Sequence, residues 1–388
     1  MRLGITSDCI HFKTQNGNIA TGTHIFLRQI EALAVYFDSI VICCPFVDFP
    51  TDVSYSVYSD PKISFIPSPH VGGNRFSDKI KLLRTIPTWL RLFNRLHKVS
   101  DIVYQRFPNN LNIPGFFYFY FKKKKVFATF TGSWDKDPVA SFSTRFQRFL
   151  LKRFFRGPVW VYTNSKKLQK NIFSGYSPSY TCREWEEEIP YLKEKNSACY
   201  NTNNKTLKLI SVGTLCNRKN HSFILDTCVL LKRENIPFEL AIVGTGERME
   251  EYKNFILKNE LCDMVKLKGS MHYSDLRNLY RQYDYVVQSP TSEAYGKVPI
   301  EGYFHGLIPV LSSSTILANY ITDHGKRGFV FDLKHRESLF KMLQHLYYEF
   351  PKEEKKKMIK DGRLFVKDLT IDEWAKDYIE KIKTYFHC

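Results

Sequence analysis

A chain of 388 residues is too long for one comfortable core and suits two domains of ordinary size. Its 43% hydrophobic and 25% charged residues are those of a globular protein, which excludes a largely disordered chain. The formal charge is +18, of which residues 1–200 carry +13 and the remainder +5, so the first half attracts something anionic: nucleic acid, lipid headgroups and phosphorylated small molecules all qualify.

Along the chain, short apolar runs alternate with helical patterns. RLGIT (2–6), a helix from about Thr23 to Tyr36, SIVICCP (39–45) and ISFIPS (63–68) open the series. A basic amphipathic stretch from Lys79 to Lys98, DIVYQRF (101–107), KVFATFTG (125–132), a helix around 142–156 and VWVYTNS (159–165) continue it. This βαβα rhythm predicts a parallel sheet with helices on both faces. Residues 177–206 break the rhythm and end in a polar Asn-rich run, which suits an interdomain connection. It then restarts with LKLISVG (207–213), FELAIVG (238–244), MVKLKG (264–269), YDYVVQS (283–289), IPVLSS (308–313) and GFVFD (328–332). The expected architecture is α/β, with an N-terminal Rossmann-like domain over 1–200, a second over 201–369, and a C-terminal helix over 370–388 packing back towards the first. That helix opens with a Thr370/Glu373 capping box and sets Trp374, Tyr378, Ile382 and Tyr385 on one face.

Nine cysteines stand without a CxxC or a Cys/His cluster at zinc spacing, which suits reduced thiols in a cytosol. The first residues, MRLGITSDCIHF, lack the apolar core of a signal peptide. The longest apolar run, IPGFFYFYF (113–121), is far shorter than the roughly 20 residues a membrane span needs. The expected location is cytoplasmic, with peripheral attachment to the inner face of a membrane left open.

In doubly wound domains, ligands settle at the carboxyl ends of the strands. After LKLISVG comes TLCNRKNHSF, where Arg218 and Lys219 stand just before a helix whose free amides suit a phosphate. After YDYVVQS comes PTSEAYGKVPIEG (290–302). There Gly296 allows close backbone approach, Pro299 fits a first helical turn, and the amides near Lys297 and Val298 form an anion site. Glu293 in the loop and Glu301 in that first turn can accept hydroxyls on either side of a bound phosphate. A phosphate flanked by two polyols is a nucleotide sugar. A surface acid and a dipole-complementing acid is the plainer account of either glutamate alone, and the combination argues against it.

The second half resembles the donor domain of the retaining family 4 glycosyltransferases (glycosyl transferases group 1), which have the GT-B fold of two Rossmann-like domains facing a central cleft. The resemblance rests on VGTLCNRKN, AIVGTGE, the E-x7-E pair Glu293 and Glu301, and GFVFD, over about 207–332. It implies that Glu301 bonds the donor ribose, that Glu293 bonds the transferred sugar, and that amides from Tyr295 through Gly296 and Lys297 to Val298 hold that sugar and the diphosphate. Lys219 matches the family's diphosphate-binding lysine. Gly213 and Gly244 close the two strand ends, and Thr214 stands where the family usually has an arginine, a loss for which Arg218 compensates. In the first half, Gly17 and Gly22 match a donor-approach loop, and Thr131 stands where many members have a histidine.

The resemblance further implies retaining transfer of a hexose-type sugar from a nucleotide diphospho-sugar to a glycan or lipid-linked glycan. Such a transfer needs no cofactor and no metal, with Lys219 and helix amides stabilising the leaving diphosphate. Two other patterns are set aside: the D-x-D of Asp135 and Asp137, which arises by chance in chains this long, and VGTGERM, whose Met249 spoils a dinucleotide fingerprint. The segment 145–157 interleaves Arg145, Arg148, Lys152, Arg153 and Arg156 with phenylalanines and, with 79–98, suits a helix lying on an anionic membrane. Core-packed helices with basic outer faces explain it equally. The rival readings are a nucleotide-sugar epimerase of similar architecture and a nucleic-acid-binding protein. No zinc finger, RNA-recognition signature or basic zipper supports the latter, so no nucleic-acid partner is expected.

Overall fold

The computed structural model describes residues 1–50, 54–72, 76–135, 140–198 and 206–387. It forms two compact units, Met1–Pro178 with Ile371–Cys388, and Ser179–Thr370.

The first unit runs β1 (Arg2–Thr6), β2 (Phe12–Lys13), β3 (Ile19–Thr21), α1 (His24–Ala34), β4 (Ser39–Pro45), β5 (Ser56–Val57) and β6 (Ile63–Ser68). It continues with α2 (Phe76–Val99), β7 (Ile102–Phe107), α3 (Asn112–Phe121), β8 (Lys125–Ser133), α4 (Phe142–Arg153), β9 (Val159–Tyr162) and β10 (Ile172–Ser174). Seven strands form a parallel sheet in the order β10-β9-β8-β7-β1-β4-β6. The strands read as nearly continuous apolar runs because both faces are covered. On one face, α1 buries Phe26, Ile30 and Leu33, a spacing of four and three that fits one helical stripe. On the other, Trp89, Phe93 and Leu96 of α2, Phe116 and Phe119 of α3, and Leu150 and Leu151 of α4 pack on Val103, Phe107 and Phe130.

The second unit begins with α5 (Cys182–Glu187) and α6 (Ile189–Ala198), followed by β11 (Leu207–Val212), α7 (His221–Arg233), β12 (Phe238–Val243), α8 (Met249–Lys258), β13 (Val265–Gly269) and α9 (Tyr273–Tyr280). Then come β14 (Tyr285–Gln288), α10 (Lys297–Phe304), β15 (Ile308–Ser312), α11 (Ala318–Thr322), β16 (Phe329–Phe331), α12 (Ser338–Tyr348) and α13 (Lys352–Val366). Its sheet is parallel, in the order β13-β12-β11-β14-β15-β16. The final helix, α14 (Ile371–Phe386), belongs to the first unit. Its Tyr378 stacks on Trp160 at 3.8 Å and shares a hydrogen bond of 2.9 Å with Thr129, and Trp160 Nε1 donates to Asp377 at 3.0 Å. Burying Trp374, Tyr378 and Ile382 stabilises this helix by about 1.5–3 kcal/mol per side chain.

The structure differs from the sequence expectation in two places. The division falls at Pro178 rather than near residue 200, because the segment expected to be a connection is α5 and α6, fastened to the second unit. Thr181 caps α5 with Glu184 in a reciprocal box, and Glu188, between the helices, takes bidentate hydrogen bonds of 2.8 Å from Arg281 and another of 2.8 Å from His305 Nδ1. The Asn-rich end of that segment, residues 199–205, lies outside the described residues. Second, the loop expected after β1 contains the hairpin β2-β3, which pairs with β5, from beyond β4, in a small antiparallel sheet. The aromatic run 113–121 forms a helix, α3, with Phe116 and Phe119 buried and Phe121 exposed. The seven described cysteines form no disulfide, and no described helix is long and apolar enough to cross a membrane.

Candidate active site

In the second sheet the strand order reverses between β11 and β14, the place where doubly wound sheets leave a crevice at their carboxyl ends. The loops following these two strands are tied together there. Thr291 N donates to Arg218 O at 2.9 Å and Ser289 Oγ to Asn220 O at 2.7 Å. Gly244, after β12, closes the floor: a Cβ on it would lie 2.1 Å from Gly213 O, so only glycine lets the two loops approach this closely.

This scaffold brings Arg218, Lys219 and Glu293 together. Lys219 Nζ donates to Glu293 Oε2, and Arg218 Nη1 donates to the same oxygen at 3.1 Å and to Ser292 O at 3.2 Å. A Cβ on Gly213 would meet the Lys219 stem at ordinary contact distance. Lys219 is 16% exposed, Glu293 20% and Arg218 54%, so the first pair is screened from water and Arg218 faces it. Burial alone raises the Glu293 carboxyl, but the two cations outweigh it and hold the acid below its ordinary value. Beside Lys219, the buried His221 is lowered to about 4, by burial first and the ammonium second, and is neutral at pH 7. Thr214, without a long side chain, is exposed at the mouth.

Gly296, at φ +72°, caps α10, and the first amides of that helix, from Lys297 and Val298, have no acceptor within the helix itself. Tyr295 is buried beneath them. Pro299 sits in the first turn as expected, but Glu301 is one turn further in, on the buried side. At 8% exposure it accepts hydrogen bonds from Ser179 Oγ (2.7 Å) and Tyr280 OH (3.0 Å). This corrects the picture of an open hydroxyl acceptor in the first turn: protein hydroxyls already hold both its oxygens, leaving one further lone pair on each. No local pattern around Ser179 or Tyr280 marks either as a partner of Glu301; the sheet's folding brings them there.

The remaining predicted residues lie in the first unit. Gly17, at φ +81°, is at the tip of the β2–β3 hairpin with open space about it, and Gly22 follows β3. Thr131 lies near the end of β8 and donates to Phe107 O at 3.1 Å. Of the basic residues on and after α4, three have partners within the unit, Arg148 half-buried and Lys152 and Arg156 exposed. Arg148 donates to Ser133 O at 3.0 Å, Lys152 lies 4.8 Å over the Trp134 ring, and Arg156 lies 4.4 Å over the Tyr120 ring. Arg145 and Arg153 are exposed, near exposed Phe142, Phe149 and Phe154. Asp135 is fixed in its loop by Thr163 Oγ1 at 3.0 Å; Asp137 lies outside the described residues.

Residues 193–365 match the family Glycosyl transferases group 1. That stretch lies within the second unit. The chain is 24% identical over 128 residues to the GtfA subunit of a UDP-N-acetylglucosamine–peptide N-acetylglucosaminyltransferase of Limosilactobacillus reuteri, a match covering 33% of this chain and 23% of that protein. The aligned stretches span less than a third of each curated relative. Over the whole chain the fold is GT-B. HepE of Anabaena, solved with UDP and glucose, superposes with a TM-score of 0.70 at 13% identity, over 99% of this chain and 100% of its own. WaaG, a glycosyltransferase involved in lipopolysaccharide biosynthesis, gives 0.66 at 13% identity, over 98% and 99%.

Proposed function

We propose that the protein is a retaining, metal-independent glycosyltransferase that moves a hexose-type sugar from a nucleotide diphospho-sugar to a glycan or lipid-linked glycan. The observation that carries this is the cluster of Lys219, Arg218 and Glu293 at the switch point of a group 1 domain. The two cations hold a carboxylate where a diphosphate would lie, so the site already binds one anion of its own. An arriving diphosphate takes Lys219 and the α10 amides, and Glu293 swings from cation to sugar hydroxyl. As the bond from the anomeric carbon to the diphosphate oxygen breaks, the charge gathering on that oxygen meets Lys219 and the helix amides. The acceptor hydroxyl attacks on the same face of the sugar and gives its proton to the departing diphosphate oxygen. Glu301 meets the ribose through the lone pairs that Ser179 and Tyr280 leave. UDP as the nucleotide is supported by the GtfA relative, part of a UDP-N-acetylglucosamine transferase, and by HepE, solved with UDP, and a lipid-linked acceptor by WaaG, which is involved in lipopolysaccharide biosynthesis.

The protein works at the surface of an anionic membrane, on the cytoplasmic face, using exposed Arg145 and Arg153 with Phe142, Phe149 and Phe154. The test is a thermal-shift screen of UDP- and GDP-sugars, repeated with Lys219→Ala and Glu293→Ala. Stabilisation by a nucleotide sugar that both changes weaken is expected. Stabilisation that neither change alters overturns the site, and conversion of the sugar without acceptor would show an epimerase instead.

A further inference from the structure

Arg106, near the end of β7, stands at the carboxyl edge of the first sheet where its strand order reverses between β7 and β1, the place where doubly wound sheets meet their ligands. The side chain is half-buried and held by α1. Its guanidinium carbon lies 4.6 Å over the Phe26 ring, and Nη1 donates to Gln29 Oε1 at 3.3 Å, its only side-chain hydrogen bond among the described residues. Nε and Nη2 have no partner, and neither is sealed from solvent. Those two nitrogens form the parallel edge of the fork, the edge that takes both oxygens of a carboxylate or phosphate.

The protein supplies no such group. Among the described residues no carboxylate lies within ion-pair distance of Arg106, and the groups around its charge, Tyr104, Cys9, Tyr162 and Tyr378, are neutral at pH 7 because burial raises all four. Asp8, exposed just after β1, is raised by burial and feels the guanidinium only as a weaker opposing charge. Charged side chains are rarely this enclosed without a partner. Where an arginine of this chain is structural, its fork is filled: Arg281 gives Nε and Nη2 to Glu188, and Arg363, 4.5 Å over the Trp185 ring, gives its two terminal nitrogens to Phe304 O and Trp185 O. Arg106 is stacked like Arg363, with no protein group on its fork.

We infer that Arg106 clamps the acceptor: the sugar that receives the transfer carries an oxyanion, a carboxylate or a phosphate, which the Nε–Nη2 edge binds bidentately. This rests on the transfer proposed above and adds the chemical class of its acceptor. The donor's diphosphate is assigned to Lys219 and the α10 amides of the other unit, so a second oxyanion belongs to the other substrate. The +13 carried by residues 1–200 draws the same kind of molecule.

The test is isothermal titration of the full chain carrying Lys219→Ala, which weakens the diphosphate site, with glucose, glucose 6-phosphate and glucuronate, three sugars alike except at C6. At least one of the two anions should bind about tenfold or more tightly than glucose, and more weakly as salt rises. Adding Arg106→Gln should weaken that binding about tenfold or more, and Arg106→Lys, which keeps the charge and loses the fork, should fall between. If Arg106→Gln fails to fold, Asp8→Asn decides: removing the neighbouring negative charge should strengthen anion binding about threefold and leave glucose unmoved. The inference is overturned if neither anion outbinds glucose, if Arg106→Gln leaves the anion bound as before, or if Asp8→Asn fails to strengthen it. Stabilisation of the natural chain by a nucleotide sugar would then leave the transferase standing. A chain that no nucleotide sugar stabilises loses the transferase instead, and the acceptor role of Arg106 falls with it.

Discussion

Between β11 and β14 the second unit gathers two cations onto one carboxylate. At the corresponding reversal of the first sheet, between β1 and β7, Arg106 lies 4.6 Å over Phe26 and donates to the neutral Gln29 at 3.3 Å, while Asp8, raised by burial, feels the Arg106 charge only as a lesser opposing pull. Both sheets are parallel and covered on both faces, so their architecture alone would give them the same chemistry. The difference lies in the loops. In the second unit they are short, cross-linked to each other and charged; in the first, the stretch after β1 folds into the β2-β3 hairpin with its tip at Gly17, and β5 pairs onto it. The sheet decides where a ligand can sit, and the loops decide what it is.

Four experiments break or sharpen this contrast. The largest effect is expected from Glu188→Ala, which leaves Arg281 and His305 facing an empty buried space. Burial raises the Glu188 carboxyl, but Arg281 and His305 overcome it and lower it to about 2. Removing one member of such a buried network should cost about 3–5 kcal/mol in a denaturant titration. A loss within the range of surface changes would show that α5 and α6 are not structural parts of the second unit. Next, Lys219→Ala should lower the rate of sugar transfer about 10²–10³-fold, about 2.7–4 kcal/mol of transition-state stabilisation, with the melting temperature nearly unchanged. The same substitution at Arg106 should leave that rate, at saturating acceptor, far less affected; equal losses would erase the distinction between the two switch points.

A smaller effect is expected from Glu293→Gln. The folded acid sits below its ordinary value of 4.5, so its contribution to stability is fully present above that value and disappears as the pH falls through the lower folded one. Melting curves of the natural chain and the Glu293→Gln variant should therefore differ at pH 7 by about 1 kcal/mol and converge at low pH. Parallel curves across the acid range would mean the carboxylate is not paired in solution. The smallest effect belongs to the first unit's surface. Reversing Arg145 and Arg153 to glutamate should weaken binding to anionic vesicles by about 1 kcal/mol per lost charge, and reversing Arg148, already bonded to Ser133 O, should unfold the β8 end instead. Indifference of vesicle binding to the first pair and to salt would remove the membrane role.

Much of this was legible in residue order. The alternation of apolar runs and helical stripes predicts both parallel sheets, since strands buried on two faces must be apolar throughout. The pairing of Lys219 with Glu293 at one site follows from two strand ends meeting at a reversal of order. The capping box at Thr181 and Glu184 was available as a signal for α5, yet the acidic run after it resembles a linker by composition alone. Glu301 was placed by its spacing from Glu293, and spacing says nothing about which side of a helix faces the core.

From its sequence alone the chain determined the two α/β units, the glycosyltransferase resemblance of the second, and the residues crowding its phosphate-suited strand ends, because hydrophobic period and loop chemistry are local properties. Only the tertiary structure decided that Glu293 is held by both cations, that Ser179 and Tyr280 occupy Glu301, that Glu188 fastens α5 and α6 to the second unit, and that Arg106 lies against Phe26 and Gln29 with one edge of its fork unpaired. Each of these joins residues from different elements, and such contacts depend on how faces pack, which no short stretch of sequence records.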